Sequence, residues 1–430
     1  MNKNLKILLS KPECEEIIRK LHNDDCNDAM EIINYEISQF SEGYPGFLGD
    51  YYRLTVEYYH GKGHNNELKE MSFFVKSLPT YNEKKRAMLS DSGIFGKELE
   101  VFKHIFPKIL KYSSKKWTPK CYYVRDDLMV LENLELTSYS ILPQQIELNI
   151  NHIKLALRSL AAFHTSSIIY ERLELRPQNT SIGELYKDML FETSYMPDSP
   201  WLMTGIRTLK NVALYNTKYG IGSIYESSID KEFMSRALKI FEILDCDMPQ
   251  IPKVLCHRDL WRNNLMFCCE NKNDIYSQPL DCLLIDFQLT RYFPLTLDVI
   301  ICTLLPSTEL VTISDINECI KFYYDQLELE LMQHDVKIED ILTFNDFKVG
   351  CEHFKLLPLI MQPMFFTLCN LPESYVANLL KTNEEKYIEI SLHNRDDVVQ
   401  DFIEKDGFYR RTLIKSVERL VEYMFKDLFA

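Results

Sequence analysis

Three side chains past the middle of the chain have types and spacing that could do chemistry: Asp259, Asn264 and Asp286. The first two lie in His257-Arg258-Asp259-Leu260-Trp261-Arg262-Asn263-Asn264, the third in Ile285-Asp286-Phe287-Gln288. One carboxylate can orient a hydroxyl and accept its proton. An amide oxygen and a second carboxylate are hard ligands suited to Mg2+, which keeps several waters and takes phosphate oxygens besides. Such a set fits phosphoryl transfer. That reaction needs an aligned hydroxyl and positive charge against the phosphate oxygens, and little covalent chemistry from the protein. A lone His-x-Asp or Asp-Phe is usually a turn or a helix cap. A block with every one of these positions filled, then an apolar strand ending in Asp-Phe, is a far more specific signal.

The order of elements supports it. Val254-Leu255-Cys256 before the block, Leu265-Met266-Phe267 after it and Cys282-Leu283-Leu284-Ile285 before Asp286 read as short buried strands. The pattern is similar to the kinase signature H-R-D-L-x-x-x-N followed by D-F-x. In that frame Asp259 is the catalytic base, Asn264 and Asp286 hold the metal, and His257 supports the backbone. A nucleotide then needs cations upstream. Ser72-Phe73-Phe74-Val75-Lys76 ends an apolar strand in lysine, the position of the lysine that bridges ATP phosphates and pairs with a helix glutamate. A lysine at a strand end is otherwise a solvated edge residue. In the following helix Glu98 is the expected partner, because Phe95, Leu99 and Phe102 share its side; Glu100 points elsewhere. The run Gly43-Tyr44-Pro45-Gly46-Phe47-Leu48-Gly49-Asp50 opens two strands, Tyr51–Tyr59 and Lys69–Ser77. Gly46 and Gly49 could let backbone amides cover the phosphates, although the spacing is not G-x-G-x-x-G and a plain turn explains it as well. Met129-Val130-Leu131-Glu132-Asn133-Leu134 reads as a strand and hinge, with Glu132 and Leu134 against the adenine edge.

Residues 12–40 carry apolar positions near helical spacing. Residues 145–246 read as mostly helical with a polar break at Arg176–Thr180, and the run Ile153–His164 as a helix capped by His164. Asn271–Gln278 is a polar loop, and residues 296–335, 345–370 and 408–428 are helices. The expected fold class is α+β: a bilobal protein-kinase-like fold with a small β-rich N-lobe and a large, mainly helical C-lobe. Residues 1–132 would hold an N-terminal helix and the ATP-binding lobe, and 133–430 the catalytic loop and acceptor site.

Asp286 and Asp298 stand only twelve residues apart. No activation segment ending in A-P-E fits there, so no platform for a peptide forms, and the acceptor should be a small molecule. Asp298, in the first turn of a helix, could brace the catalytic loop by hydrogen bonds.

Composition bounds the rest. The chain has 430 residues, 46% hydrophobic and 26% charged, values of an ordinary globular protein long enough for two lobes. A formal charge of −14 disfavours nucleic acid and anionic membrane as partners, and makes any ATP site depend on local cations. The 12 cysteines show no metal spacing and sit in apolar surroundings, as reduced thiols do. No signal-peptide core and no membrane span are evident, so a cytoplasmic protein with no protein partner is expected.

Taken together, Phe74-Val75-Lys76, Glu98, Leu131-Glu132-Asn133-Leu134, Leu160-Ala161-Ala162-Phe163-His164, the block from His257 to Phe267 and Ile285-Asp286-Phe287-Gln288 resemble the ecdysteroid kinase-like family. That family is a branch of the choline kinase and aminoglycoside phosphotransferase superfamily. The D-L-W-x-N-N-x-M-F and I-D-F-Q forms are particular to the branch, and the resemblance covers roughly residues 40 to 370. Arg258 departs from it, standing where the family often has glycine. The resemblance implies ATP and Mg2+ as cofactors. It also implies phosphorylation of a hydroxyl on an ecdysteroid-like or other lipophilic alcohol. The same chemistry on choline, an amino sugar or a xenobiotic alcohol is the alternative, and a non-catalytic ligand-binding relative a further one. Phe354, Leu357, Leu359, Ile360, Met361, Met364, Phe365 and Phe366 could wall a pocket for a flat apolar acceptor, or be ordinary core.

Overall fold

Alternating side chains build the first sheet. The computed structural model describes residue 5 and residues 8–23, 30–40, 49–60, 67–80, 83–144, 146–270, 278–307 and 312–429. Strands β1 (Met30–Gln39), β2 (Asp50–His60), β3 (Glu67–Ser77), β4 (Cys121–Arg125) and β5 (Leu128–Glu132) pair antiparallel in the order β1-β2-β3-β5-β4. Successive side chains of a strand point to opposite faces. Phe73 and Val75 of β3 and Leu128 and Val130 of β5 therefore join Leu54 and Val56 in one buried layer, with Cys14, Ile17 and Ile18 of helix α1 (Lys11–Leu21) against it. Lys76 faces the other way, as do Met129 and Leu131, which belong to the large second core.

The helical region expected over 12–40 ends at Leu21, and its second half is β1. Ile32 and Ile37 are buried while Ile33 is exposed, and the register shifts between Ile32 and Asn34. An extra residue in a strand turns an even spacing of apolar positions into an odd one, which imitates helical periodicity. The glycine-bearing run up to Leu48, Gly46 included, lies outside the described residues, as does most of the Asn271–Gln278 loop.

Between β3 and β4 run α2 (Glu83–Ser92), which the sequence reading had not marked, and α3 (Ile94–Glu100). Then α3 continues through a π-turn at Val101–Ile105 into α4 (Phe106–Ile109). The second lobe is built around α5 (Ile150–Tyr170), buried along most of its length. The short α6 (Ile182–Leu185) is followed by α7 (Pro200–Asn216), α8 (Glu226–Ala237) and α9 (Lys239–Asp245). Helices α10 (Thr296–Leu304), α11 (Ile313–Met332), α12 (Phe344–Phe354), α13 (Leu356–Cys369), α14 (Glu373–Thr382), α15 (Glu384–Leu392), α16 (Asp396–Lys405) and α17 (Gly407–Met424) complete the lobe. Inserted among them are two small sheets made of β6 (Tyr139–Ser140), β7 (Lys253–Cys256), β8 (Leu265–Cys269), β9 (Pro279–Leu284) and β10 (Arg291–Pro294), ordered β10-β7 and β6-β8-β9. The architecture is α+β and two-lobed, a kinase-like arrangement with the sheet in the first lobe and helices dominating the second.

The helix expected to end at His164 runs on to Tyr170. His164 is no cap: it is fully buried, with Nδ1 2.6 Å from the Tyr323 hydroxyl and Nε2 3.3 Å from Asp298. A polar residue inside an apolar helix looks like an end only when its buried partners, more than a hundred positions away, are unknown. The eleven described cysteines are all free thiols, and among the described residues no helix is long and apolar enough to cross a membrane.

Candidate active site

Strand parity directs Lys76 off the end of β3 into the second core, where a bare ammonium would be costly to bury. Its Nζ lies 2.6 Å from Glu98 Oε2 and 2.6 Å from Asp286 Oδ1. Burial opposes its charge, but Asp286 and Glu98 outweigh that and hold its pKa above the ordinary lysine value. Burial in turn pushes the Glu98 carboxyl up, against the pull of Lys76. Glu98 is buried on α3 and its other oxygen accepts the Phe287 N–H at 3.0 Å, which ties the first-lobe helix to the loop of Asp286; Glu100 instead pairs with His104. Gly49, at the start of β2, comes close beside this strand end: a Cβ there would sit 3.1 Å from the Ser77 carbonyl and 3.7 Å from Lys76 Cγ.

Asp286 and Arg258 are two of the five described non-glycine residues with positive φ, both at 68°. Such backbone persists only where its surroundings enforce it, and it gathers at functional sites. Here the enforcement is visible. The loop from His257 to Asn264 is held from three sides. Asp298, fully buried in the first turn of α10, accepts the N–H groups of His257 (2.5 Å) and Arg258 (2.8 Å), the bracing expected of it. His257 Nε2 lies 2.9 Å from the Ile285 carbonyl and Nδ1 accepts the Asp259 N–H at 3.3 Å. Burial lowers its pKa, so the ring is a neutral bridge with its proton on Nε2. Beneath them Phe287 sits among Phe102, Phe106, Trp117, Phe163 and His257, with ring centroids 4.5–6.0 Å away.

Asn264 donates Nδ2 to the Asp259 carbonyl (2.8 Å) and to Asp259 Oδ2 (2.9 Å). Burial, then the nearby charge of Asp286, pushes the Asp259 carboxyl up to about 7 despite hydrogen bonds from Asn264 and Gln288. Lys76, Glu98 and Asp286 thus form one bonded set and Asp259 with Asn264 another; the Ile285 N–H on the Asn264 carbonyl (3.1 Å) ties the two loops together, and the charges of Asp286 and Lys76 act on Asp259. Glu132, at the end of β5, turns its side chain to Lys116 (2.6 Å) and donates its own N–H to the Lys120 carbonyl at 2.8 Å. Leu134 opens a 3₁₀ turn two residues on and is buried.

Two features escaped the sequence reading. Gln288, the last residue of the Ile285–Gln288 motif, is buried beside the Asp259 carboxylate and acts against the rise of its pKa. Trp201, at the start of α7, packs on Phe365 at 5.4 Å, and Phe365 packs on Trp261 at 5.9 Å, two residues past Asp259. Of the eight late apolar residues singled out as a possible pocket wall, seven are buried core; Phe365 alone is partly exposed. No local pattern distinguishes that one from its neighbours.

The sequence model of the ecdysteroid kinase-like family matches residues 44–335. The chain belongs to the ecdysteroid kinase-like family. No curated protein matches it. Among solved structures, a Plasmodium vivax ethanolamine kinase is similar over 99% of this chain and 91% of its own, at 12% identity and a TM-score of 0.43. The gentamicin complex of aminoglycoside phosphotransferase APH(2")-IIa is similar over 96% of each chain, at 14% identity and a TM-score of 0.36. ADP-bound APH(2'')-Ib covers 94% of this chain and 98% of its own, at 13% identity and a TM-score of 0.37.

Proposed function

We propose that the chain is an ATP-dependent kinase that transfers the γ-phosphate to an alcohol hydroxyl of a lipophilic, ecdysteroid-like small molecule. The observation that carries this is the pair of neighbouring sets, Lys76–Glu98–Asp286 across the two lobes and Asp259–Asn264 beside it, coupled through the Ile285 N–H on Asn264 and the charge of Asp286 on Asp259. Asp259 is the base: a carboxyl poised near neutral pH suits proton transfer from a hydroxyl. Lys76, held by Glu98, meets the phosphates. Asp286 and Asn264 fit Mg2+, because Asn264 has committed its NH2 to Asp259 and has only its oxygen to offer, while one Asp286 oxygen is on Lys76 and the other remains. When bound, the metal supplies charge neutralisation for the phosphates. The Lys76–Asp286 contact is direct, so nucleotide binding must exchange that ion pair for phosphate contacts. Gly46 and Gly49 would cover the phosphates. With the Glu132 N–H taken by Lys120, the adenine edge is assigned to the backbone from Glu132 to Leu134, Leu134 foremost.

The Trp201–Phe365–Trp261 wall favours a flat, apolar acceptor, since aromatic faces bury large area at little entropic cost. A quaternary ammonium such as choline could use the same faces through cation–π contact. The deciding experiment is one Mg–ATP assay over ecdysteroids, choline, amino sugars and phenolics, with phosphate esters read by mass. Ester formed on ecdysteroids and not on the charged acceptors is expected. Ester on choline alone would replace the acceptor, and no ester and no ATP consumption across the panel would remove the kinase reading.

A further inference from the structure

Beside the catalytic loop lies a second charged cluster that phosphoryl transfer as described above does not use. Its centre is Glu192, in the irregular segment between α6 and α7. Glu192 Oε2 is 2.8 Å from Arg258 Nη2 and 2.7 Å from Arg291 Nη1. Its other oxygen accepts the N–H groups of Thr193 (3.1 Å), Ser194 (3.0 Å) and Tyr195 (3.0 Å), which fixes the segment around the carboxylate. The neighbouring Phe191 carbonyl accepts Lys97 Nζ at 2.6 Å, and the Phe191 ring lies against Lys97 and where a Cβ of Gly93 would stand.

Two of the cations sit next to a member of the proposed catalytic set, and the third follows its loop. Arg258 precedes Asp259, Lys97 precedes Glu98 on the first-lobe helix, and Arg291 opens β10, the strand that follows the Asp286 loop and pairs with β7 at Cys256. Arg258 is 1% exposed, Lys97 3%, and the Arg258 guanidinium is covered by the Tyr195 ring at 4.9 Å. Three basic groups drawn together inside a protein repel one another unless an anion is fixed among them. Their crowding is felt: burial, then Arg258, lowers the Lys97 pKa to about 7, with Glu192 acting against the shift. Arg258 also holds a left-handed backbone, which a side chain keeps only when its contacts repay the strain.

We propose that Glu192 is a positioning residue, a fixed carboxylate that locks the catalytic loop through Arg258, the segment after the metal aspartate through Arg291, and the first-lobe helix of Glu98 through the adjoining Phe191–Lys97 contact. Switchable kinases draw such elements together by adding a phosphate opposite arginines. In this chain, which has no activation segment, the negative charge is built in and the site is assembled without modification. The inference deepens the kinase reading and rests on it for its effect on rate, but the lock itself is testable without turnover.

Hydrogen exchange on the full chain is the decisive measurement. In Glu192→Gln, amides of residues 94–100, 257–264 and 286–292 should all exchange at least about tenfold faster than in the wild type. Faster exchange confined to residues 190–195 overturns the lock. Should that variant fail to fold, Glu192→Gln/Arg258→Gly leaves no buried arginine without its anion and puts glycine at the left-handed position; the same three regions should loosen in it. Given an active wild type, Glu192→Gln and Arg258→Gln should each lower kcat about 10–100-fold, the cost of a small misplacement of reacting groups. Glu192→Gln combined with Arg258→Gln should be no slower than the slower of those two singles, because both remove one contact; losses that multiply overturn the coupling. A wild type that phosphorylates nothing but shows the three-region response removes the kinase reading and keeps the lock.

Discussion

At the scale of the residue, Asp259 carries the sharpest expectations. Asp259→Asn keeps the shape of the side chain and removes the proposed base, so the phosphorylation rate should fall about 10²–10⁴-fold with nucleotide affinity largely kept; an unchanged rate of ester formation would show that Asp259 is not the base. Its raised pKa also has a consequence for stability. A buried carboxyl that titrates near 7 when folded, against an ordinary 3.8, binds more protons in the native state than in the unfolded one across that interval. The metal-free protein should therefore lose stability from this group as pH rises from about 4 to about 7, with nothing further lost above that. Asp259→Asn has no such group. Urea midpoints of the two proteins, compared across that pH range without Mg2+, should show the wild type falling relative to the variant.

Elements matter because each one delivers a single side chain to the site and is fixed from elsewhere. The first turn of α10 exists, from the site's point of view, to hold Asp298 under the catalytic loop, with His164 of α5 behind it. Asp298→Ala leaves two buried N–H groups without an acceptor, each costing about 1–3 kcal/mol. A drop of about 2–6 kcal/mol in unfolding free energy, the sum of the two, together with loss of turnover, is expected from denaturant melts and the ester assay. A variant as stable as the wild type would mean the loop holds its positive φ at Arg258 by other contacts. The bulge in β1 makes the converse point. It changes no residue of the site, yet it alone turned a strand into an apparent helix, because periodicity measures spacing along the chain and a bulge alters spacing without altering the face that is buried.

For the whole molecule, the site belongs to neither lobe. Lys76 and Glu98 come from the first, Asp259, Asn264 and Asp286 from the second, and a ligand that engages both must favour the folded, closed arrangement. Mg2+ with a non-hydrolysable ATP analogue at about 100 times its dissociation constant should stabilise the chain by about 2.7 kcal/mol, read as a rise in Tm, and the analogue alone by much less. Lys76→Met should abolish that rise, because it removes the cation proposed to face the phosphates; a full rise in that variant would detach Lys76 from the nucleotide.

What the sequence by itself determined is local in kind: the loop with Asp259 and Asn264, the strand ending in Lys76, Glu98 as the lysine's companion and Asp298 near a helix start are all legible from residue type and short spacing, since chemistry and strand alternation are both written in a few neighbouring positions. The tertiary structure decided what depends on partners far along the chain. It buried His164 inside a longer helix against Asp298 and Tyr323, sorted one half-buried ring, Phe365, from seven core neighbours, and set Glu192 between Arg258 and Arg291. Burial and the pairing of charges are properties of three-dimensional proximity, and no periodicity along a chain encodes which carboxylate a distant arginine will meet.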